Sequence, residues 1–207
     1  MHRILIFLIA GWSGFFLMAV ELLSGRILAP YFGSSLQVWG AVITVFMVAL
    51  SLGYLVGGKL SLREPSLAKL SAILLATALG TAPAVLLGDP VMERIFTLVI
   101  DPRYGSLLSA TVLFFLPTVL AGMVSPYAVR LLVSDSTLVG HCAGHLFFVS
   151  TFGAAAGTLL TSFYLVLYLD IDQIFWMLIG ISVLVASSAL LLGLSHVKSA
   201  ALPQERS

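Results

Sequence analysis

A carboxylate inside an apolar run is the first residue of this chain able to do chemistry. Glu21 falls within the run Ile4–Leu23, about a turn before its end. An acid at that depth costs up to about 3 kcal/mol, least near the interface, so it must face protein or a water-filled cavity. Gly14, Met18, Glu21 and Gly25 share one helical face, and Arg26 comes within reach if the helix unwinds at Ser24-Gly25. Two readings follow for Glu21. It is an ion, proton or cationic-substrate site, or it forms a buried ion pair with Arg26 that fixes the next loop. Tyr31, Phe32 and Trp39 surround the same end of the run. Such rings serve as an interfacial belt or, in the second use, as an aromatic box for a cationic amine such as a polyamine.

His141 and His145 are one turn apart, a spacing that can offer two imidazoles to a metal or a haem. No third ligand follows nearby, so they read as interfacial histidines and only weakly as metal ligands. Cys142 is the one cysteine, which leaves no means of forming an intrachain disulfide, a Cys-based zinc site or a dithiol motif. No dinucleotide fingerprint, P-loop, nucleophile elbow or zincin helix occurs in the chain. The expectation is therefore no cofactor and no enzyme acting alone.

These residues must be held by elements that live in lipid. The chain has 60% hydrophobic and 9% charged residues, with mean hydropathy +1.12, whereas a soluble domain carries about a quarter charged. Its net charge of +1 gives no electrostatic reason for nucleic acid as a partner. A bilayer core of about 30 Å takes about 20 apolar residues as helix. That ruler predicts six spans, at Ile4–Leu23, Val38–Gly57, Leu70–Leu87, Leu107–Val124, Leu146–Leu169 and Ile174–Leu194. The first is too long for a signal-peptide core and has no small-x-small cleavage site after it, so it reads as a retained helix. The fold class is all-α, a six-helix transmembrane bundle over residues 1–195 with a short polar tail at 196–207.

Orientation follows from Lys and Arg. With both termini cytoplasmic, Arg3, Lys59, Arg63, Lys69, Arg130, Lys198 and Arg206 lie inside, against Arg26, Arg94 and Arg103 outside. That asymmetry obeys the positive-inside rule for an inner (plasma) membrane protein. Asp89-Pro90 and Asp101-Pro102 each read as an N-cap followed by proline at the first helical position. The stretch 91–100 between them is too short to span and is expected as a separate interfacial helix. Gly53 and Gly57, and Gly153 and Gly157, have the spacing of close helix crossings, which places helices two and five inside the bundle.

Several segments together resemble a family. Met18 to Ser35, followed by Val38-Trp39-Gly40, is similar to the first helix and outer loop of membrane-bound spermidine synthase-like proteins, also described as fused major-facilitator/spermidine synthase proteins. Leu52 to Gly58, Gly122 to Leu131, Ala143-Gly144, and Ser150 through Gly153 to Gly157-Thr158 extend the resemblance over five helices. The resemblance implies that membrane architecture. Many members continue into an aminopropyltransferase-like domain. Here only a polar tail follows the sixth span, and Asp170-Ile171-Asp172 stands where the family has a Pro- and Gly-containing loop. Synthase activity is therefore not carried over.

Six helices also equal half of a major-facilitator transporter, whose halves are each built from two three-helix repeats. The expected function is a non-catalytic membrane module that scaffolds or binds a partner protein or larger inner-membrane complex. The alternative is a homodimeric transporter of a polyamine or other cation.

Overall fold

The computed structural model describes residues 2–133 and 139–200. They form six long helices and, among the described residues, no strand: α1 (His2–Phe32), α2 (Leu36–Leu60), α3 (Leu67–Leu98), α4 (Pro102–Leu132), α5 (Val139–Tyr168) and α6 (Ile171–Ala200). All six are long and apolar enough to cross a membrane, so the chain is a multi-pass membrane protein built as an all-α bundle. The first five residues of the expected polar tail continue α6, and 201–207 lie outside the described residues.

The helices outrun the spans expected of them. α1, α3 and α4 have 31, 32 and 31 residues, or about 45 Å each, half as long again as a hydrocarbon core. Local chemistry sets their ends. Gly33, at φ 81°, donates its N–H to the Ala29 carbonyl at 2.8 Å and closes α1 with a left-handed residue. The Ser35 and Ser66 hydroxyls cap α2 and α3 by accepting from the N–H groups of Val38 and Lys69. Asp101 caps α4 by accepting from the Arg103 N–H at 2.9 Å, with Pro102 in the first turn.

The Asp89-Pro90 signal does not act as the spacing suggests. α3 runs through Pro90 to Leu98, and no separate interfacial helix forms. Proline removes one backbone bond, but this segment gains contacts that outweigh it. Met92 and Ile95 are buried in the core, Phe96 meets Tyr31 and Phe32 edge-on, and Tyr31 Oη donates to Asp89 Oδ1 at 3.3 Å. Helix-breaking proline is tolerated where neighbouring helices supply such packing.

Two buried clusters make the core. One lies toward the end of the bundle remote from the N-terminus and contains the rings of Phe46, Phe114 and Phe175 from α2, α4 and α6. The other, toward the N-terminal end, centres on Ile9, Leu70, Leu74, Tyr127 and Leu146. Directional bonds tie helices at both levels. Trp12 Nε1 donates to Ser182 Oγ at 2.8 Å across α1 and α6, and the Ser66 N–H donates to Tyr127 Oη at 3.1 Å.

α1 packs chiefly on α5, and α2 chiefly on α4. The two pairs share one construction. A Cβ added at Gly153 would strike the Gly11 carbonyl and, one turn on, a Cβ at Gly157 would stand 2.9 Å from the Phe15 Cα. A Cβ at Gly53 would strike the Val119 carbonyl and, again one turn on, a Cβ at Gly57 would stand 2.6 Å from the Met123 Cα. These are backbone-to-backbone approaches that only glycine permits.

The expectation that helices two and five both lie inside the bundle needs correction. In the most apolar stretch of α5 only 17% of residues are buried, against 39–56% in the other helices. Gly153 and Gly157 serve one face, against α1. The opposite face, with Phe148, Phe152 and Phe163, is exposed.

Candidate functional site

Glu21 sits deeper than the sequence implied. α1 continues to Phe32, so Glu21 lies about three turns from its end instead of one. It is half-buried between the core residues Val20 and Leu23, and its buried Oε2 has no hydrogen-bond partner. The ion pair with Arg26 required unwinding at Ser24-Gly25, and α1 passes through both residues as helix. Five residues apart on an unbroken helix, the two side chains leave the axis about 140° apart. Ser24 donates its hydroxyl to the Glu21 carbonyl at 2.7 Å, one turn back on the same unbroken helix.

The aromatic box also does not assemble around Glu21. Tyr31 is ten residues further along the same helix, or about 15 Å, and turns to Asp89 and Phe96. Phe32 packs on Gly105, where an added Cβ would stand 2.9 Å from its ring Cδ1. Trp39 instead covers Gly25, with ring carbons 2.6 and 2.7 Å from where a Cβ would be.

Arg26 and Trp39 meet in a cavity of about 260 Å³ at the end of the bundle remote from the N-terminus. Leu22, Leu23, Ala29 and Val166 form apolar walls, and Ser34, Thr161 and Ser162 bring hydroxyls. The α5 side is shaped by a π turn at Thr161–Leu165, in which the Val166 N–H bonds the Thr161 carbonyl. That i to i+5 closure sets Thr161 and Val166 over one another, and such turns recur at functional sites. Ser162 donates to the Thr158 carbonyl at 2.7 Å, a back-bond that helps bend the helix there. Thr161 is 1% exposed, and its Oγ1 has no partner. An unmet buried hydroxyl costs about 1–3 kcal/mol. Reading the sequence singled out Arg26 and Trp39 but missed Thr161 and Ser162, because nothing in a run of apolar residues marks a π turn.

The His141 and His145 rings lie 4.4 Å apart between centroids, tilted by 59°, on the exposed side of α5. His145 Nδ1 lies 3.0 Å from the His141 carbonyl, which draws that nitrogen into the helix backbone. Among the described residues no group of three His, Cys, Asp or Glu side chains could hold a metal ion.

No family model, curated protein or solved structure matches this chain. A functional reading therefore rests on its own geometry.

Proposed function

We propose that the chain is a non-catalytic integral membrane module that binds a transmembrane helix of a partner protein through α5. The observation that supports it is the outward face of that helix. Added Cβ atoms at Gly140 and Gly144 would meet nothing within 4 Å, and two adjoining open grooves run past Gly144, Phe148 and Thr151 to Ala155. In lipid, small residues let helix backbones approach and gain packing that larger side chains prevent. The resemblance to the membrane part of spermidine synthase-like proteins agrees with a module of this kind.

A second reading has its own support. The repeated construction of the α1–α5 and α2–α4 pairs, and the unpartnered Glu21 Oε2, fit a half-transporter that acts as a homodimer on a polyamine or other cation. One experiment separates the two: purification in mild detergent at native abundance, with the stoichiometry of associated protein measured for the parent and for Gly144→Leu. The first reading expects a stoichiometric heterologous partner that Gly144→Leu loses while the bundle stays folded. Retention by the variant overturns it. A bare dimer whose polyamine flux in proteoliposomes vanishes in a folded Glu21→Gln variant establishes the transporter instead.

The proposed residence is an inner (plasma) membrane with both termini cytoplasmic, on the strength of the Lys/Arg asymmetry. Reporter fusions after Ser66 are expected to signal cytoplasm, and fusions after Asp101 the opposite side. A reversed pair of signals removes this orientation.

A further inference from the structure

We infer that the cavity between α1, α5 and the start of α2 is a headgroup site for an anionic phospholipid, with the lipid phosphate held by Arg26 and the Ser34 hydroxyl. This goes beyond the partner-binding reading and uses a different part of α5.

The polar inventory selects the ligand class. Arg26 is the one charged side chain lining the cavity, and among the described residues no carboxylate lines it. A guanidinium presents paired N–H donors that match two phosphate oxygens. Ser34 contributes an exposed hydroxyl at the rim, whereas the Thr161 hydroxyl is sealed within the wall. An ammonium-bearing zwitterionic headgroup would find no counter-charge for its cation on these walls, whereas a headgroup whose only charge is its phosphate is matched by Arg26.

Position and size select a lipid over a free anion. The cavity lies where α1 ends at Gly33 and α2 begins after Ser35, at one end of the bundle. Trp39 half-buries its indole there, as tryptophan does at headgroup depth. About 260 Å³ admits a headgroup and not acyl chains. Exposed Leu159, Phe163 and Leu167 on α5 offer the chains an apolar surface beside it. Basic pockets between transmembrane helices capture anionic headgroups on the cytoplasmic side, and in the orientation proposed above this one would do so in the outer leaflet.

Gly25 keeps the site open. A Cβ there would collide with the Trp39 ring and push the indole from its seat.

The test uses the full chain, delipidated in neutral detergent. Thermal unfolding is followed with added phosphatidylglycerol, phosphatidylcholine or inorganic phosphate. Phosphatidylglycerol at about 100 times its dissociation constant is expected to raise Tm by about 5 °C or more, and the other two by much less. Arg26→Gln is expected to abolish the phosphatidylglycerol shift. Ser34→Ala is expected to weaken the lipid's apparent affinity several-fold while leaving the lipid-free Tm unchanged. An equal shift from phosphatidylcholine, or an undiminished shift in both variants, overturns the proposal. A full shift from inorganic phosphate overturns the lipid assignment. Should Arg26→Gln fail to fold, Ser34→Ala alone decides between these outcomes.

Discussion

Gly157→Leu is expected to eliminate most of the folded protein. The side chain would begin 2.9 Å from the Phe15 Cα and strike the Phe15 carbonyl, so α1 and α5 must separate along their whole crossing. No rotamer change relieves a clash with backbone, and the cost is about 3 kcal/mol or more, a large share of a marginal stability. α5 is the helix least able to absorb it, since α1 is its principal support. Gly144→Leu on the same helix has open space and should leave the yield of folded monomer near that of the parent. Monodisperse yield in detergent, read by fluorescence-detected size exclusion, measures both. Equal losses at the two positions would show that the close approach of α1 and α5 is not what limits the yield.

Phe114→Ala is the second large effect. Phe114 is fully buried, with its ring centroid 6.0 Å from that of Phe46 and 6.4 Å from that of Phe175, so it joins α2, α4 and α6 at one level. Truncation leaves a cavity that three rigid helices cannot close, at a cost of about 3 kcal/mol. Lipid does not replace the lost contacts, because the site is sealed from it. Phe152→Ala, on the exposed face of α5, exchanges contacts with acyl chains and should change Tm little in the free chain. Thermal unfolding in detergent separates the two substitutions. A small effect at Phe114 would place the core elsewhere.

Much of the membrane architecture is legible in composition and run length. Six apolar runs, each long enough to span and each bounded by polar or charged residues, leave a helix as the one way to satisfy the backbone in lipid. Asp101-Pro102 marks the start of α4 through a bond the cap makes to its own neighbour two residues on, so it needs no tertiary partner. Gly53, Gly57, Gly153 and Gly157 are visible as spaced small residues for the same reason: the spacing is a property of one helix.

What each of those features touches is decided by other helices. Asp89-Pro90 has the same local form as Asp101-Pro102, yet α3 continues through it because Met92, Ile95 and Phe96 find α1 and the core beside them. Glu21 reads as a residue near the helix end, a cation site or a partner of Arg26 if the helix unwinds, because hydropathy falls after Leu23. The helix goes on to Phe32 because Gly33, not Gly25, takes the left-handed conformation. Continuity then sends Glu21 and Arg26 to different faces. The cavity around Arg26 needs Trp39 laid on Gly25 and a π turn in α5, neither of which is encoded by any local preference. By itself the sequence determined that the chain crosses a membrane six times as helix, since hydrophobic length and backbone satisfaction act within each segment. Only the tertiary structure decided which polar groups meet and which face of α5 stays open, because those depend on where one helix lies against another.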